Sequence, residues 1–302
     1  MRFPDLQGKV ALVTGGSGGI GKETARVLAE QGMKVVVNGR DPAALASAVE
    51  HAAQHAVQDA GQHADQGAAQ HADQGVEQGV EQGAEQGVEQ GVEQGAGQRA
   101  GGSGEVIGIG ADTTDFAAIE AMRVETERRL GPVDVLAIFA GGGTGGRPRP
   151  IDELPEEDWQ ATVQANLTST YLVIKSFLPG MRERGRGSII TMSSLAARTP
   201  TSASIAYTAA KAGVIALTRQ LAHEVAPAGI RVNAVAPSTI MTDRLEERMP
   251  AAFKERMLAE HPLGRLGTPL DVANVTAFLA SDSASSWLTG LTIDVAGGKW
   301  MP

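Results

Sequence analysis

Tyr207 and Lys211 stand four residues apart in Tyr207-Thr208-Ala209-Ala210-Lys211, within a stretch that reads as a helix from about Ser204 to Ala226. Residues at that spacing share a helix face, so a phenol lies beside an ammonium. A free phenol has a pKa near about 10, too high to yield a proton at neutral pH. A neighbouring ammonium favours phenolate, and a drop of about three units asks for about 4 kcal/mol of differential interaction. The chemistry on offer is proton transfer at an oxygen. Ser194 follows an apolar burst, Ser188–Ser193, that reads as a strand, and its hydroxyl would hydrogen-bond the same oxygen. Each residue alone has an ordinary explanation: a half-buried aromatic, a surface lysine, a turn serine.

A second constellation opens the chain. The apolar run Lys9–Thr14 leads into Gly15-Gly16-Ser17-Gly18-Gly19-Ile20-Gly21 and then a helical pattern over Gly19–Gln31. Glycines let backbone N–H groups approach a pyrophosphate, and a helix N-terminus adds partial positive charge. Strand, glycine turn and helix together read as a dinucleotide site, with Gly15, Ser17, Gly19, Ile20 and Gly21 as contacts. The next strand ends Asn38-Gly39-Arg40-Asp41. An acid near Gly39 would bind the ribose 2′-hydroxyl of NAD, which Gly39 cannot do, whereas Arg40 can pair with a 2′-phosphate. Asp41 before Pro42 has the form of a helix cap. The cofactor expected is NADP(H), with NAD(H) as second choice.

These residues need a frame. Strand-like bursts at 9–14, 34–38, 105–110, 133–140, 188–193, 231–236 and 291–295 alternate with helical patterns, the longest near Glu156–Arg184 and Ser204–Ala226. Near-continuous apolar strands separated by helices imply a parallel sheet covered on both faces. The fold class expected is α/β, a Rossmann-type doubly wound parallel sheet of about seven strands in a single domain over 1–302. One stretch, 59–101, breaks the rhythm. It repeats QHADQG and then counts in fours as GVEQ and GAEQ, the mark of a low-complexity insertion. Residues 51–100 carry seven of the nine net negative charges, so the rest is nearly balanced, with no basic stripe for nucleic acid. His51, His55, His63 and His71 lie in or beside the insertion without the partners that fix a metal geometry, so no metal site is expected. The chain has no cysteine, no secretory h-region at Met1–Gly8 and no run of membrane-spanning length, which makes a soluble cytoplasmic protein the default.

Thr14-Gly15-x-x-x-Gly19-x-Gly21 together with Tyr207-x-x-x-Lys211 resembles the short-chain dehydrogenase/reductase family. Ser194 thirteen residues before Tyr207, Asn166, Arg265-x-Gly267-x-Pro269 and the closing Asp294-Val295-Ala296-Gly297-Gly298 fit the same pattern. The resemblance implies a catalytic set of Asn166, Ser194, Tyr207 and Lys211. In it Tyr207 is the acid/base, Lys211 also holds the nicotinamide ribose, and Asn166 positions a water in a proton relay. It further implies cofactor contacts from Asp112 to the adenine, from Ala140 and Gly141, and from the segment that begins at Pro237, where the Ile240 backbone and Thr242 meet the nicotinamide end. It implies a homotetramer or dimer formed through the helices at about 156–184 and 204–226.

Two departures stand out. The family usually reads Asn-Asn-Ala-Gly where this chain has Ile138-Phe139-Ala140-Gly141, and usually has Gly where this chain has Ser238. The missing asparagines leave the bracing of the central sheet, and the substrate pocket beside Phe139, open. Leu245, Met249, Phe253, Met257 and Leu258, within an expected lid over Thr239–Gly264, form a core-facing or pocket-facing stripe. The pattern resembles the 3-oxoacyl-[acyl-carrier-protein] reductase-like branch. An acidic carrier would ask for a basic surface, for which Arg147, Arg149, Arg182, Arg184 and Arg186 are candidates. Three functions stay open: an NADP(H)-dependent reductase of 3-oxoacyl thioesters or related ketones, an alcohol, sugar or steroid dehydrogenase on the same frame, and a cofactor-binding regulator without turnover. The implied partner is a small-molecule carbonyl or alcohol, with a thioester carrier as one form.

Overall fold

Seven apolar strands form one parallel sheet. In the computed structural model, which describes residues 2–54, 104–142, 148–247 and 249–301, they are β1 (Val10–Thr14), β2 (Lys34–Gly39), β3 (Val106–Gly110), β4 (Val135–Ile138), β5 (Gly187–Met192), β6 (Ile230–Pro237) and β7 (Thr292–Val295). Their order is β3-β2-β1-β4-β5-β6-β7 and every pairing is parallel. The Rossmann-type architecture expected from the alternating pattern is the one observed. β1, β4 and β6 are buried along their whole length, which is why they read as unbroken apolar runs rather than alternating ones.

Helices cover both faces. One face carries α1 (Gly19–Glu30), α2 (42–54) and α9 (Pro269–Ala280), packed through Ala25, Leu28, Ala48, Val272 and Ala273. The other carries α3 (Phe116–Leu130), α5 (Ser169–Arg184) and α6 (Ile205–Val225), packed through Ile119, Met122, Phe177, Leu221 and Val225. Each face buries apolar side chains worth about 1.5–3 kcal/mol apiece. The strand order reverses between β1 and β4, so chain leaving these two strands separates at their carboxyl ends. That opening is where open α/β sheets bind ligands.

Two expected elements differ. The strand expected over 133–140 is shortened to β4, because the Phe139 and Ala140 N–H groups both donate to Thr14 Oγ1, each at 3.1 Å, instead of extending the ladder. The helix expected over Glu156–Arg184 is interrupted. It runs as α4 (Glu156–Val163), a π-helical turn at Gln164–Thr168, and α5. Thr162 Oγ1, Ser169 Oγ and Thr170 Oγ1 each donate to the carbonyl four residues back. Such back-bonding competes with the regular ladder and bends helices, and single π turns mark functional positions. The expected lid holds α7 (Asp243–Glu246) and α8 (Ala251–Ala259). Among the described residues no helix is long and apolar enough to cross a membrane.

The insertion expected at 59–101 lies outside the described residues. Its flanks are described: the helix over 42–54 follows the carboxyl end of β2, and Glu105 accepts from Val35 N at 2.7 Å, beside the amino end of β2. The chain therefore re-enters the sheet opposite the β1/β4 opening. A variant joining Asp59 to Gly101 is expected to fold and to keep cofactor binding and turnover; loss of either, by fluorescence titration and steady-state assay, would place the segment in the working part of the molecule.

Candidate active site

The β1/β4 opening is the mouth of a cleft of about 1050 Å³. Its floor is the turn after β1. Gly21, in the first turn of α1, lies so close to that turn that a Cβ there would overlap the Gly15 carbonyl oxygen. Among the described residues nothing accepts from the amide N–H groups of Gly19 or Ile20, at the first two positions of α1. Two free donors at the head of a twelve-residue helix fit a pyrophosphate oxygen. A Cβ at Gly19 would come within 2.8 Å of Thr242 Cγ2, so the lid segment closes over the same spot.

The far end of the cleft takes shape at the tips of β2 and β3. Asn38, buried, donates to the Ile109 and Ala111 carbonyls at 3.2 and 3.1 Å and holds the two tips together. Arg40 is 79% exposed, with Nη1 3.9 Å from Asp112 Oδ2. Thr114 donates to Asp112 Oδ1 through both its N–H and its hydroxyl, which holds the Asp112 carboxyl below the usual range, with Arg40 adding to the effect. Asp41 is occupied as a cap, accepting from Ala44 N at 2.9 Å. Ser17 Oγ lies beside Gly39, where a Cβ would approach it within 2.5 Å. These groups ring one polar hollow with a cation on its rim.

The middle of the cleft is held by the π turn. Asn166 is fully buried and its side-chain oxygen accepts from Gly142 N at 2.9 Å. Its amide donates to the Gly142 carbonyl at 3.0 Å and the Thr162 carbonyl at 2.9 Å. Both amide hydrogens are thus committed to backbone. Gly141, at φ +128°, allows the contact, since a Cβ there would stand 2.6 Å from Asn166 Oδ1.

Tyr207 and Lys211 reach the cleft from the first turns of α6. Ser204 caps that helix by accepting from Tyr207 N at 3.2 Å. Lys211, 2% exposed, donates from Nζ to the Met192 carbonyl at 2.9 Å, and Ser193 Oγ donates to the Lys211 carbonyl at 2.9 Å. Burial without a carboxylate partner lowers the Lys211 pKa to about 8. Lys211 Nζ lies 5.6 Å from the centre of the Tyr207 ring. Burial raises the Tyr207 pKa, and a hydrogen bond with Ser194 pulls it back. The sequence argument expected the lysine to lower the phenol. Burial raises it instead, and the lysine ammonium donates to the Met192 carbonyl at the end of β5.

Gly15, Ser17, Gly19, Ile20, Gly21, Arg40, Asp112, Ala140, Gly141, Tyr207, Lys211 and Thr242 line this one cleft. Pro237 and Ile240 do not: Pro237 ends β6, and Ile240 is buried and bridged to Gly267. Ser194 faces a neighbouring pocket of about 560 Å³ walled by Leu195, Phe253 and Met257. Phe139, at the position of a missing asparagine, is buried in the α1/α9 core, and Thr14 Oγ1 does the local bracing. Of the lid stripe, Phe253 and Met257 line the Ser194 pocket; Leu245, Met249 and Leu258 are half-buried outside its lining.

The arginine cluster proposed as a carrier surface is not one surface. Arg182 pairs with Glu224, Arg184 donates to the Val133 carbonyl and Arg186 to Asp134, at the amino ends of the strands. Arg149 is exposed on the chain after β4, and Arg147 lies outside the described residues. Sequence reasoning missed Lys22 and Arg244, which also line the cleft. Lys22 carried a signal: a cation in the first turn of a helix opposes the helix dipole and asks for an anion nearby.

A doubly wound parallel sheet with a cleft across its switch point defines a Rossmann-type protein. Family models agree: one described as short chain dehydrogenase matches residues 9–89 and one described as Enoyl-(Acyl carrier protein) reductase matches 64–299. The subunit BbsD of (2S)-[(R)-hydroxy(phenyl)methyl]succinyl-CoA dehydrogenase from Thauera aromatica is 33% identical over 97% of each chain. The 3-oxoacyl-[acyl-carrier-protein] reductase FabG of Vibrio cholerae is 33% identical over 98% of this chain and 99% of its own. A solved short-chain type dehydrogenase/reductase from Mycobacterium ulcerans superposes with a TM-score of 0.78 at 27% identity, covering 99% of this chain and 91% of its own. The chain belongs to the short-chain dehydrogenase/reductase family, oxidoreductases acting on CH–OH or carbonyl groups.

Thr14 Oγ1 carries two backbone donors at the switch point. Thr14→Val is expected to lower unfolding free energy by about 2 kcal/mol, the cost of orphaning buried N–H groups, and to weaken cofactor binding with it. Urea unfolding and cofactor titration of the same variant check this.

Proposed function

We propose that the protein is an NADP(H)-dependent reductase of ketones, with 3-oxoacyl thioesters as the favoured class. Tyr207, which lines the cleft beside Lys211 and is hydrogen-bonded to Ser194 of the neighbouring pocket, carries the reading. When bound, the reduced nicotinamide would supply hydride to the carbonyl carbon. Tyr207 donates its phenolic proton to the carbonyl oxygen, and Ser194 hydrogen-bonds that oxygen as charge builds on it. Lys211, freed from Met192, holds the nicotinamide ribose and favours the phenolate left behind. Asn166 acts as a positioning residue. With both amide hydrogens given to carbonyls, its side chain holds Gly142.

Support for NADP(H) comes from Arg40 on the rim, from Asp41 being spent as a cap, and from Lys22 and Arg244 in the lining. The names of the two relatives, one a (2S)-[(R)-hydroxy(phenyl)methyl]succinyl-CoA dehydrogenase subunit and one a 3-oxoacyl-[acyl-carrier-protein] reductase, both point to thioester-borne substrates. Trp159 on α4 and Tyr171 on α5 remain 38% and 46% exposed, which fits association through these helices.

Tyr207→Phe is expected to cut kcat by about 10²–10⁴-fold while NADPH still binds; full retention of turnover would refute the role, and a wild-type protein that binds cofactor but turns over no ketone or alcohol would favour a regulator. The raised Tyr207 pKa sets the sign of the pH profile. Reduction uses the protonated phenol and the charged lysine, so it persists through neutrality and falls as pH climbs through the Lys211 pKa of about 8 and then the phenol pKa. Oxidation uses phenolate and gains with pH. A bell centred near neutrality in both directions would contradict this.

Arg40→Ala is expected to lower kcat/KM for NADPH about tenfold or more, the worth of a charge-assisted bond to phosphate, and to leave the value for NADH nearly unchanged. A wild-type preference for NADH would overturn the cofactor assignment. A panel of 3-oxoacyl thioesters against free ketones tests the substrate class.

A further inference from the structure

Two polar pairs outside the proton transfer border the pocket beside Ser194: Glu260 with Lys299, both in its lining and half out in solvent, and Ser238, in its lining, with His261 buried behind it. Ser238 Oγ lies 2.8 Å from His261 Nε2, and His261 Nδ1 lies 2.6 Å from the Met257 carbonyl oxygen. His261 is 3% exposed, while Ser238 lines the pocket together with Ser194, Phe253 and Met257. Both partners are fixed. Ser238 N donates to the Val295 carbonyl at 3.1 Å, Thr239 Oγ1 donates to Met257 Sδ at 3.8 Å, and the Ile240–Gly267 bridge closes the segment behind them. This is also the position where a serine replaces the glycine expected from the resemblance.

The chemistry of the pair is directional. A carbonyl oxygen can only accept, so His261 Nδ1 carries the hydrogen. In the neutral ring Nε2 then has only a lone pair. The hydrogen between Nε2 and Oγ must therefore come from Ser238. A serine hydroxyl has one hydrogen and two lone pairs, so Ser238 turns its lone pairs toward the pocket.

We infer that Ser238, with its hydrogen committed to His261, is a specificity-determining acceptor that selects substrates carrying a hydrogen-bond donor, an O–H or an amide N–H, near the reacting carbonyl. The inference rests on the reading of this site as a ketone reductase. A donor in that place gains a partner. A substrate in which the donor is methylated leaves Ser238 facing an apolar group and unsatisfied, and sites built to bond a substrate O–H or N–H reject analogues that lack it.

The test uses two matched substrate pairs. One pair is a hydroxyketone and its O-methyl ether. The other is a 3-oxobutanoyl thioester of N-acetylcysteamine and its N-methyl amide analogue. The wild-type protein is expected to favour the donor-bearing member of at least one pair by about tenfold or more in kcat/KM. The pair that discriminates tells hydroxyl from amide. Ser238→Ala is expected to reduce that ratio to near unity while NADPH affinity stays close to wild type, and to lower the thermal midpoint because the buried His261 Nε2 loses its partner. A wild-type ratio near one in both pairs, or a ratio that Ser238→Ala leaves unchanged, would overturn the inference. If no ketone is turned over with either cofactor, the ketone-reductase reading fails by itself. Calorimetric Kd values of the same pairs, for wild type and Ser238→Ala with NADPH present, then test Ser238 by the same ratio.

Discussion

The seating of the Lys211 ammonium on the carboxyl end of β5 is the interaction on which the site depends. Lys211 Nζ gives a hydrogen to the Met192 carbonyl, and Ser193 returns one to the Lys211 carbonyl. These bonds stitch α6 to the strand that delivers Ser194. A buried charge without a carboxylate is costly, and here the cost shows as a lysine pKa lowered to about 8. The neighbouring phenol is raised by its own burial, with Ser194 pulling it back.

The rest of the cleft follows from the parallel sheet. Strand tips end side by side, and their last backbone groups need partners once the ladder stops. Thr14 Oγ1 takes the N–H groups after β4, Asn38 takes carbonyls after β3, and Asn166 takes both backbone groups of Gly142. Each bond completes the hydrogen bonding of a strand end and shapes a wall of the cleft. The substitution of Ile138-Phe139 for the family's asparagines is tolerated because Thr14 and Asn166 hold the two sides of the turn, while Phe139 joins the apolar core.

Charge follows a similar division. The arginines after α5 pair at the amino ends of the strands, where they close the base of the sheet against Glu224, Val133 and Asp134. Lys22, Arg40 and Arg244 line the opposite end.

The sequence by itself determined what is local. The apolar strand rhythm, the glycines between β1 and α1, the helix beginning near Ser204 and the four-residue spacing of Tyr207 and Lys211 each depend on neighbours within one or two turns of chain, so they could be read directly. Tertiary structure alone decided the partners of those groups. The bonds from Phe139 and Ala140 to Thr14, from Lys211 to Met192 and from Ser238 to His261 join residues between 19 and 126 positions apart. A side chain's pattern in sequence records which face it lies on. It does not record which distant backbone carbonyl or ring nitrogen will stand there, and that choice set the direction of the Lys211 charge, the π turn at Asn166 and the acceptor face of Ser238.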